Sequence, residues 1–174
     1  MSDAGKPARS VYVWVAEGTW PATVDAALQL APEGAVFTLL HVSDPGAADA
    51  ARGAYLSLFG RGGRDPGPQL AELATTSAAS LLAAAAGRLG RPCDQRALSG
   101  QAERVMVSAS AEADLLIVAR DGDRARLGPR SLGRITRFVV DHAACPVLLV
   151  WPDTAPAVGT MPPPPPHHPH HRGH

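Results

Sequence analysis

Short apolar runs alternate with amphipathic segments over residues 10–151 of the chain. The apolar runs are rich in β-branched and aromatic residues, which predicts strands. The segments between them repeat apolar residues every three or four positions, which predicts helices. The predicted strands are Ser10–Ala16, Ala35–Val42, Cys93–Leu98, Asp114–Ala119 and Pro146–Trp151. The predicted helices are Pro21–Ala31, Gln69–Leu89, Gln101–Ala111 and Leu132–His142. Strands that alternate with helices in this way favour a doubly wound α/β fold.

Individual residues refine the predicted elements at one helix start, in one long loop and on one helix face. Thr19 has the residue type and the position of an N-cap for the first helix. Segment Ser43–Pro68 is rich in glycine and proline and predicts a loop, with a possible short helix around Ala47–Phe59. The spacing of the longest helix predicts an inward face that comprises Leu70, Leu73, Ser77, Leu81 and Ala85.

The composition changes abruptly after Trp151. Residues 153–174 contain five consecutive prolines followed by HHPHHRGH, with little apolar surface to bury. We therefore expect a disordered or polyproline tail over residues 152–174, a flexible N-terminus over residues 1–9, and one domain over residues 10–151. No signal-peptide pattern and no apolar stretch near the ~20 residues of a membrane span is visible, so we expect a cytoplasmic protein without a membrane partner.

Charge and composition narrow the function classes. Sixteen basic and sixteen acidic residues give no electrostatic argument for nucleic acid. Cys93 and Cys145 are too few for a disulfide framework or a zinc site. The tail histidines could hold Ni²⁺ or Zn²⁺ only weakly, because nothing fixes their geometry; they are His167, His168, His170, His171 and His174.

Catalytic motifs are not recognisable in the sequence. We find no nucleophile elbow, Walker A loop or dinucleotide fingerprint. His41 ends the second strand and His142 ends the last helix, but neither has a nucleophile nearby in sequence. We therefore assign no catalytic residue.

Three stretches of the chain resemble the universal stress protein family. VYVWVAEGTW resembles the first strand and turn, AVFTLLHVSDP the second strand, and LLIVAR with LGRITRFVVDHAACPVLLVW the C-terminal half. The resemblance implies a Rossmann-like, five-stranded parallel sheet of strand order 3-2-1-4-5, with helices on both faces. Many members form homodimers through the last strand, which implies an interface at Val147, Leu149 and Trp151. Pairing would also protect an apolar sheet edge.

Family members that bind ATP carry a glycine motif after the fourth strand: glycine, two residues, glycine, nine residues, glycine, then serine or threonine. Glycines let the backbone approach phosphate, and N–H groups at the helix start donate to it. When Gly133 is taken as the third glycine, Arg120 and Asp123 replace the first two, and Arg134 replaces the hydroxyl.

On the adenine side, the resemblance places three more residues. Glu17 replaces the family's aspartate, Val42 fits the family's valine, and Ala119 stands where a larger apolar residue is common. The implied nucleotide site therefore comprises Glu17, Val42, Ala119, Arg120, Gly133 and Arg134.

We interpret this site as degenerate, with weak or no ATP binding, in a homodimeric stress-response or regulatory module with an unidentified protein partner. Six arginines in the loop and helix either attract an anion or pair at the surface with Asp121, Asp123 and Asp141. They are Arg120, Arg124, Arg126, Arg130, Arg134 and Arg137. Two alternatives stay open: an ATP-binding member with slow hydrolysis, and an enzyme on the related adenine-nucleotide-binding α/β scaffold.

Overall fold

The strands form one sheet in a computed structural model that describes residues 9–46, Gly53 and residues 67–163. Five parallel strands lie in the order β3-β2-β1-β4-β5 within these residues. Strands β1 to β5 are Ser10–Trp14, Val36–Ser43, Cys93–Ser99, Leu115–Ala119 and Val147–Val150. Helices α1 to α4 are Trp20–Leu30, Gly67–Leu89, Ala102–Ser110 and Arg134–His142. Short 3₁₀ turns span Pro129–Ser131 and Val158–Thr160. The fold class and the strand order are confirmed, and each element lies within two residues of its predicted bounds.

Strand β1 is central and is buried on both faces. Val11 pairs with Phe37 of β2 on one side and with Leu115 of β4 on the other. Successive side chains of a strand point to opposite faces of the sheet. Val11 and Val13 therefore enter one core, and Tyr12 and Trp14 the other.

Helices cover both faces of the sheet, as predicted. Helices α1 and α2 enclose a core that includes Val11, Val24, Phe37, Leu82 and Ile117. The opposite core lies under α3 and α4 and includes Tyr12, Met106, Leu116, Val118 and Val139. The two layers leave the carboxyl ends of the strands free to form a site.

The inward face of α2 differs from the prediction. The buried residues are Ala78, Leu82, Ala85 and Leu89, whereas Leu73 is 66% exposed. Most of this helix is alanine, serine and threonine, so several faces have similar hydrophobicity and sequence alone does not distinguish them. Ala85 is buried as predicted and Leu81 packs against the core, but the buried face also runs through Ala78 and Leu82, one residue beyond the predicted Ser77 and Leu81.

The N-terminus of α1 also differs from the prediction. Thr19 occupies the N-cap position, but its side chain makes no capping hydrogen bond. Its hydroxyl donates instead to the carbonyl oxygen of Ala16 at 3.4 Å. The hydroxyl of Thr23 donates to the carbonyl oxygen of Trp14 at 3.0 Å and ties the end of β1 to α1. The possible helix around Ala47–Phe59 lies outside the described residues apart from Gly53.

Residues 152–163 continue from β5 and contact the loop between β4 and α4. The backbone N–H of Leu127 donates to the hydroxyl of Thr160 at 3.1 Å, and Arg124 pairs with Asp153 at 3.0 Å. Residues 152–163 are the first part of the segment for which a disordered or polyproline tail is predicted, and beyond residue 163 that tail stays a prediction. The remaining tail residues, including the histidines at 167, 168, 170 and 171, lie outside the described part of the chain. Across the part that is described, no helix is long and apolar enough to cross a membrane.

Candidate functional site

Two cavities open beside the carboxyl end of β1. Such crevices are where doubly wound sheets bind ligands, because the chain leaves neighbouring strands toward opposite faces there. The first cavity has a volume of about 240 Å³ and lies between β1 and β4. The second has a volume of about 390 Å³ and lies toward β2. Trp14, Ala16 and Glu17 line both cavities.

Three of the residues assigned from sequence gather at these cavities. Glu17 follows β1 and lines both of them, Val42 lines the second, and Ala119 lines the first. The turn after Glu17 requires Gly18, whose φ of 72° lies in the left-handed region. The ends of β1, β2 and β4 thus bring together Glu17, Val42 and Ala119.

Arg120 is directed away from these cavities. Its guanidinium lies over the ring of Trp151, 4.7 Å from the ring centroid. It also donates a hydrogen bond to the hydroxyl of Ser131. Arg120 therefore ties the end of β4 to the segment after β5 and to the loop before α4.

Asp121, which the sequence analysis did not assign to the site, lies at the start of α4. Its Oδ1 accepts a hydrogen bond from the backbone N–H of Gly133 at 2.7 Å. A Cβ atom on Gly133 would lie 2.8 Å from that oxygen, so the glycine permits the approach. Asp121 also lines the first cavity. Aspartate is a preferred acceptor at helix starts, but this one lies twelve residues before the glycine that it contacts.

The loop between β4 and α4 is closed at its base by backbone hydrogen bonds. Gly122 N–H donates to the Ser131 carbonyl at 3.0 Å, and Asp123 N–H donates to the Arg130 carbonyl at 2.8 Å. A Cβ atom on Gly122 would overlap the carbonyl oxygen of Arg130. Position 122 therefore requires glycine, because two backbone segments approach each other closely there.

The loop and helix arginines are dispersed rather than focused on one point. Arg134 is 87% exposed and lies 3.7 Å from Glu103, while Arg124 pairs with Asp153. Arg137 donates to the backbone carbonyls of Pro129 and Leu132. Among the described residues, the carboxylates that pair with these arginines are thus Glu103 and Asp153. The pairing with Asp121, Asp123 and Asp141 that the sequence suggested is not found there.

Other titratable groups lie in ordinary structural settings. Nδ1 of His41 lies 2.8 Å from the carbonyl oxygen of Val15, and Nδ1 of His142 lies 2.9 Å from that of Phe138. Burial raises the pKa of the Cys93 and Cys145 thiols. Among the residues that the structure describes, no group of three or more histidine, cysteine or acidic side chains could hold a metal ion.

The sheet ends at β5, which pairs with β4 on one side. Hydrogen bonds run from Leu116 N–H to the Pro146 carbonyl and from Arg120 N–H to the Val150 carbonyl. In a parallel pair, alternate residues bond to the same neighbour, so the backbone of Leu149 faces the other edge. Val147, Leu149 and Trp151 are each half-buried.

Comparison with known proteins places the chain in a family. Residues 17–150 match the model of the Universal stress protein family. A search of curated proteins finds no significant match.

Several solved structures resemble the chain. The hypothetical protein MJ0577 is 17% identical, with a TM-score of 0.63 over 82% of this chain and 95% of that one. A universal stress protein in complex with cAMP is 20% identical, with a TM-score of 0.55 over 85% and 100%. Universal stress protein UspA from Lactobacillus plantarum is 18% identical, with a TM-score of 0.52 over 83% and 99%. At these identities the likeness shows a shared fold.

Proposed function

The chain belongs to the universal stress protein family, and we propose that it acts in the cytoplasm as a homodimeric stress-response or regulatory binding module with weak or no ATP binding. One observation carries the proposal. The carboxylate of Asp121 accepts the Gly133 N–H at 2.7 Å, at the start of α4. A helix N-terminus is where backbone N–H groups otherwise bind phosphate. Here the Asp121 carboxylate, an anion of the chain itself, already accepts the hydrogen bond of the Gly133 N–H.

A triphosphate fits poorly against this arrangement. It would have to displace the Asp121 carboxylate or lie beside it, and like charges at such distances repel. Arg120, which replaces the first motif glycine, brings a guanidinium that packs on Trp151 and Ser131. Arg134, which replaces the motif hydroxyl, extends into solvent. The Asp121 carboxylate thus opposes phosphate binding, and the two arginines leave the loop without the small or hydroxylated residues that would support it.

The alternative is a member that binds an adenine nucleotide and hydrolyses it slowly. Two observations favour it. The cavities that share Glu17 are open, with volumes of about 240 and 390 Å³. A structural neighbour that is a universal stress protein was solved in complex with cAMP. This alternative requires the Asp121 carboxylate to leave Gly133.

The homodimer is proposed at the edge of β5. The backbone of Leu149 faces this edge, and unpaired strand edges recruit a further strand unless they are protected. A twofold pairing of β5 with its own copy would satisfy these groups in a closed assembly. A dimer of this kind would present two copies of the site to an unidentified protein partner.

The nucleotide content of the purified full chain tests the proposal against its alternative. The protein is denatured, and the supernatant is analysed for adenine nucleotides by anion-exchange chromatography. We expect far less than one nucleotide per chain. Recovery of stoichiometric ATP, ADP or cAMP would overturn the proposal in favour of the alternative. ATP added to a matched sample before denaturation verifies the recovery.

A further inference from the structure

The largest of the cavities described lies apart from the crevice beside β1. It has a volume of about 740 Å³ and opens between the loop after β4 and the segment after β5. We propose that it is a second binding site, for a small amphipathic organic anion with an apolar body and one anionic head. This site goes beyond the proposed function, because none of its lining residues lines either cavity at Glu17.

The size and the lining of this cavity suit an apolar body. Ligand sites in proteins span roughly 300–1,000 Å³ and are mostly apolar with few polar groups. The apolar lining comes from both segments: Ala125, Leu127, Pro129, Met161, Pro162 and Pro163. Met161 is 59% exposed although it is large and apolar, and burying it against a ligand would be favourable.

The polar groups around the cavity are mostly engaged within the chain. The Thr160 hydroxyl accepts from the Leu127 N–H at 3.1 Å and donates to the Ala157 carbonyl at 2.7 Å. The Asp123 carboxylate accepts the N–H of Ala125 at 2.9 Å. A ligand with many hydrogen-bonding groups would therefore find few partners, which favours an apolar body over a nucleotide or a sugar.

Two guanidinium groups are placed to bind the anionic head of the ligand. Arg126 and Arg130 line the cavity, and the guanidinium of neither forms an ion pair or a hydrogen bond with any residue in the described part of the chain. They outnumber the single lining carboxylate, that of Asp123. Guanidinium forks bind carboxylate, phosphate or sulfonate heads through paired charge-assisted hydrogen bonds.

The cavity is built from segments that the chain itself holds together. The Arg124–Asp153 ion pair and the Leu127–Thr160 hydrogen bond join the loop to residues 152–163. A Cβ atom on Gly128 would lie 3.3 Å from Pro162, so the two segments are closely packed there. The family match ends at residue 150, before the segment that forms one wall. One wall of the site thus lies beyond the matched range, and the loop that carries Arg126 and Arg130 lies within it.

Two fluorescent probes test the site on the full chain. The anionic probe 8-anilinonaphthalene-1-sulfonate and the neutral N-phenyl-1-naphthylamine share one ring system and differ in the sulfonate. We expect one saturable sulfonate-probe site per chain, with an affinity at least about tenfold higher than for the neutral probe. That ratio corresponds to one charge-assisted contact.

Variants then locate the site. The double variant Arg126→Ala/Arg130→Ala should lose at least about tenfold in affinity for the anionic probe and keep its affinity for the neutral one. Met161→Asp should weaken both probes. Arg104→Ala removes an exposed arginine of α3 outside the cavity and serves as the matched control, with no change expected.

Thermal unfolding of each variant confirms that it is folded. Equal affinity of the wild type and the double variant for the anionic probe would overturn the proposal. So would a wild type that binds no anionic probe, or that prefers the neutral one.

Discussion

The carboxylate of Asp121 lies 2.7 Å from the backbone nitrogen of Gly133, so a residue two positions past the end of β4 supplies the acceptor for the start of α4. This contact joins the two ends of the loop that connects β4 to α4. It satisfies one of the N–H groups that every helix start leaves unpaired. The same carboxylate also places negative charge at the positive end of the helix dipole. One side chain thus stabilises the start of α4 and, in the function proposed above, also excludes an external anion.

Gly133→Ala should destabilise the protein because its Cβ would meet the Asp121 carboxylate at 2.8 Å. Backbone conformation is not the obstacle, since Gly133 has φ −65° and ψ 169°, which alanine adopts freely. We expect a loss of about 1–2 kcal/mol in the free energy of unfolding, the usual cost of losing a cap. Urea denaturation followed by circular dichroism measures it.

Two further variants isolate the cause of that loss. In an Asp121→Ala background, Gly133→Ala should cost less than half as much, because the clash is gone. Gly87→Ala in α2, where a Cβ meets nothing within 4 Å, should stabilise by about 0.5–1 kcal/mol. An equal cost of Gly133→Ala in both backgrounds would show that the carboxylate contact is not its origin.

Leu149→Pro should convert the proposed homodimer into a monomer. Proline removes the N–H that faces the open edge of β5, and it leaves the bonds of Pro146 and Val150 to β4 in place. Leu149→Ala shortens the same side chain but keeps the N–H, so this control should remain dimeric. Light scattering coupled to size-exclusion chromatography gives the mass of each. If Leu149→Pro remained a dimer, the interface would lie elsewhere.

The ion pair between Asp25 and Arg88 should make stability depend on pH in acid. Arg88 donates to both carboxylate oxygens, at 2.6 and 2.7 Å, and this hydrogen bonding lowers the pKa of Asp25. A lowered folded-state pKa gives stability that is present above the unfolded value of about 3.9 and lost as pH falls through the folded value.

Asp25→Asn should therefore be less stable than the wild type near neutral pH, and the difference should shrink as pH falls below about 3.9. Both side chains are about half exposed, so solvent screening keeps the effect small. Urea denaturation across this range measures it. In an Arg88→Gln background the substitution should show much less of this pH dependence. A difference that persists in acid would assign the effect to something other than the ion pair.

Much of the fold was predictable because its signals are local. Strands that are apolar at every position, such as Leu115–Ala119, indicate a sheet that is covered on both faces. In the structure, four of the five residues of this strand are buried. The face of α2 was not predictable in detail, because alanine, serine and threonine fill 12 of its 23 positions and give little contrast in hydrophobicity between one side and the next. Side-chain contrast is stronger in α3, where Met106 is fully buried among smaller or polar neighbours.

The site was predictable only where a single strand end determines it. The family resemblance named Glu17, Val42 and Ala119, and all three lie at the cavities beside the strand ends. The contact of Asp121 with Gly133, and that of Arg120 with Trp151, depend on how a loop and a later segment return to the strand ends. Such contacts join residues distant in sequence, and no local pattern marks them. The cavity lined by Met161 was missed for the same reason.

Titration of the wild type and Asp121→Ala with ATP–Mg²⁺ by calorimetry tests the central claim most directly. Asp123→Ala is the matched control, since its carboxylate accepts the N–H of Ala125 instead of Gly133. We predict no saturable heat below about 1 mM for the wild type or the control, and at least about tenfold tighter binding once Asp121 is removed. Saturation of the wild type by one ATP per chain in the micromolar range would contradict the claim.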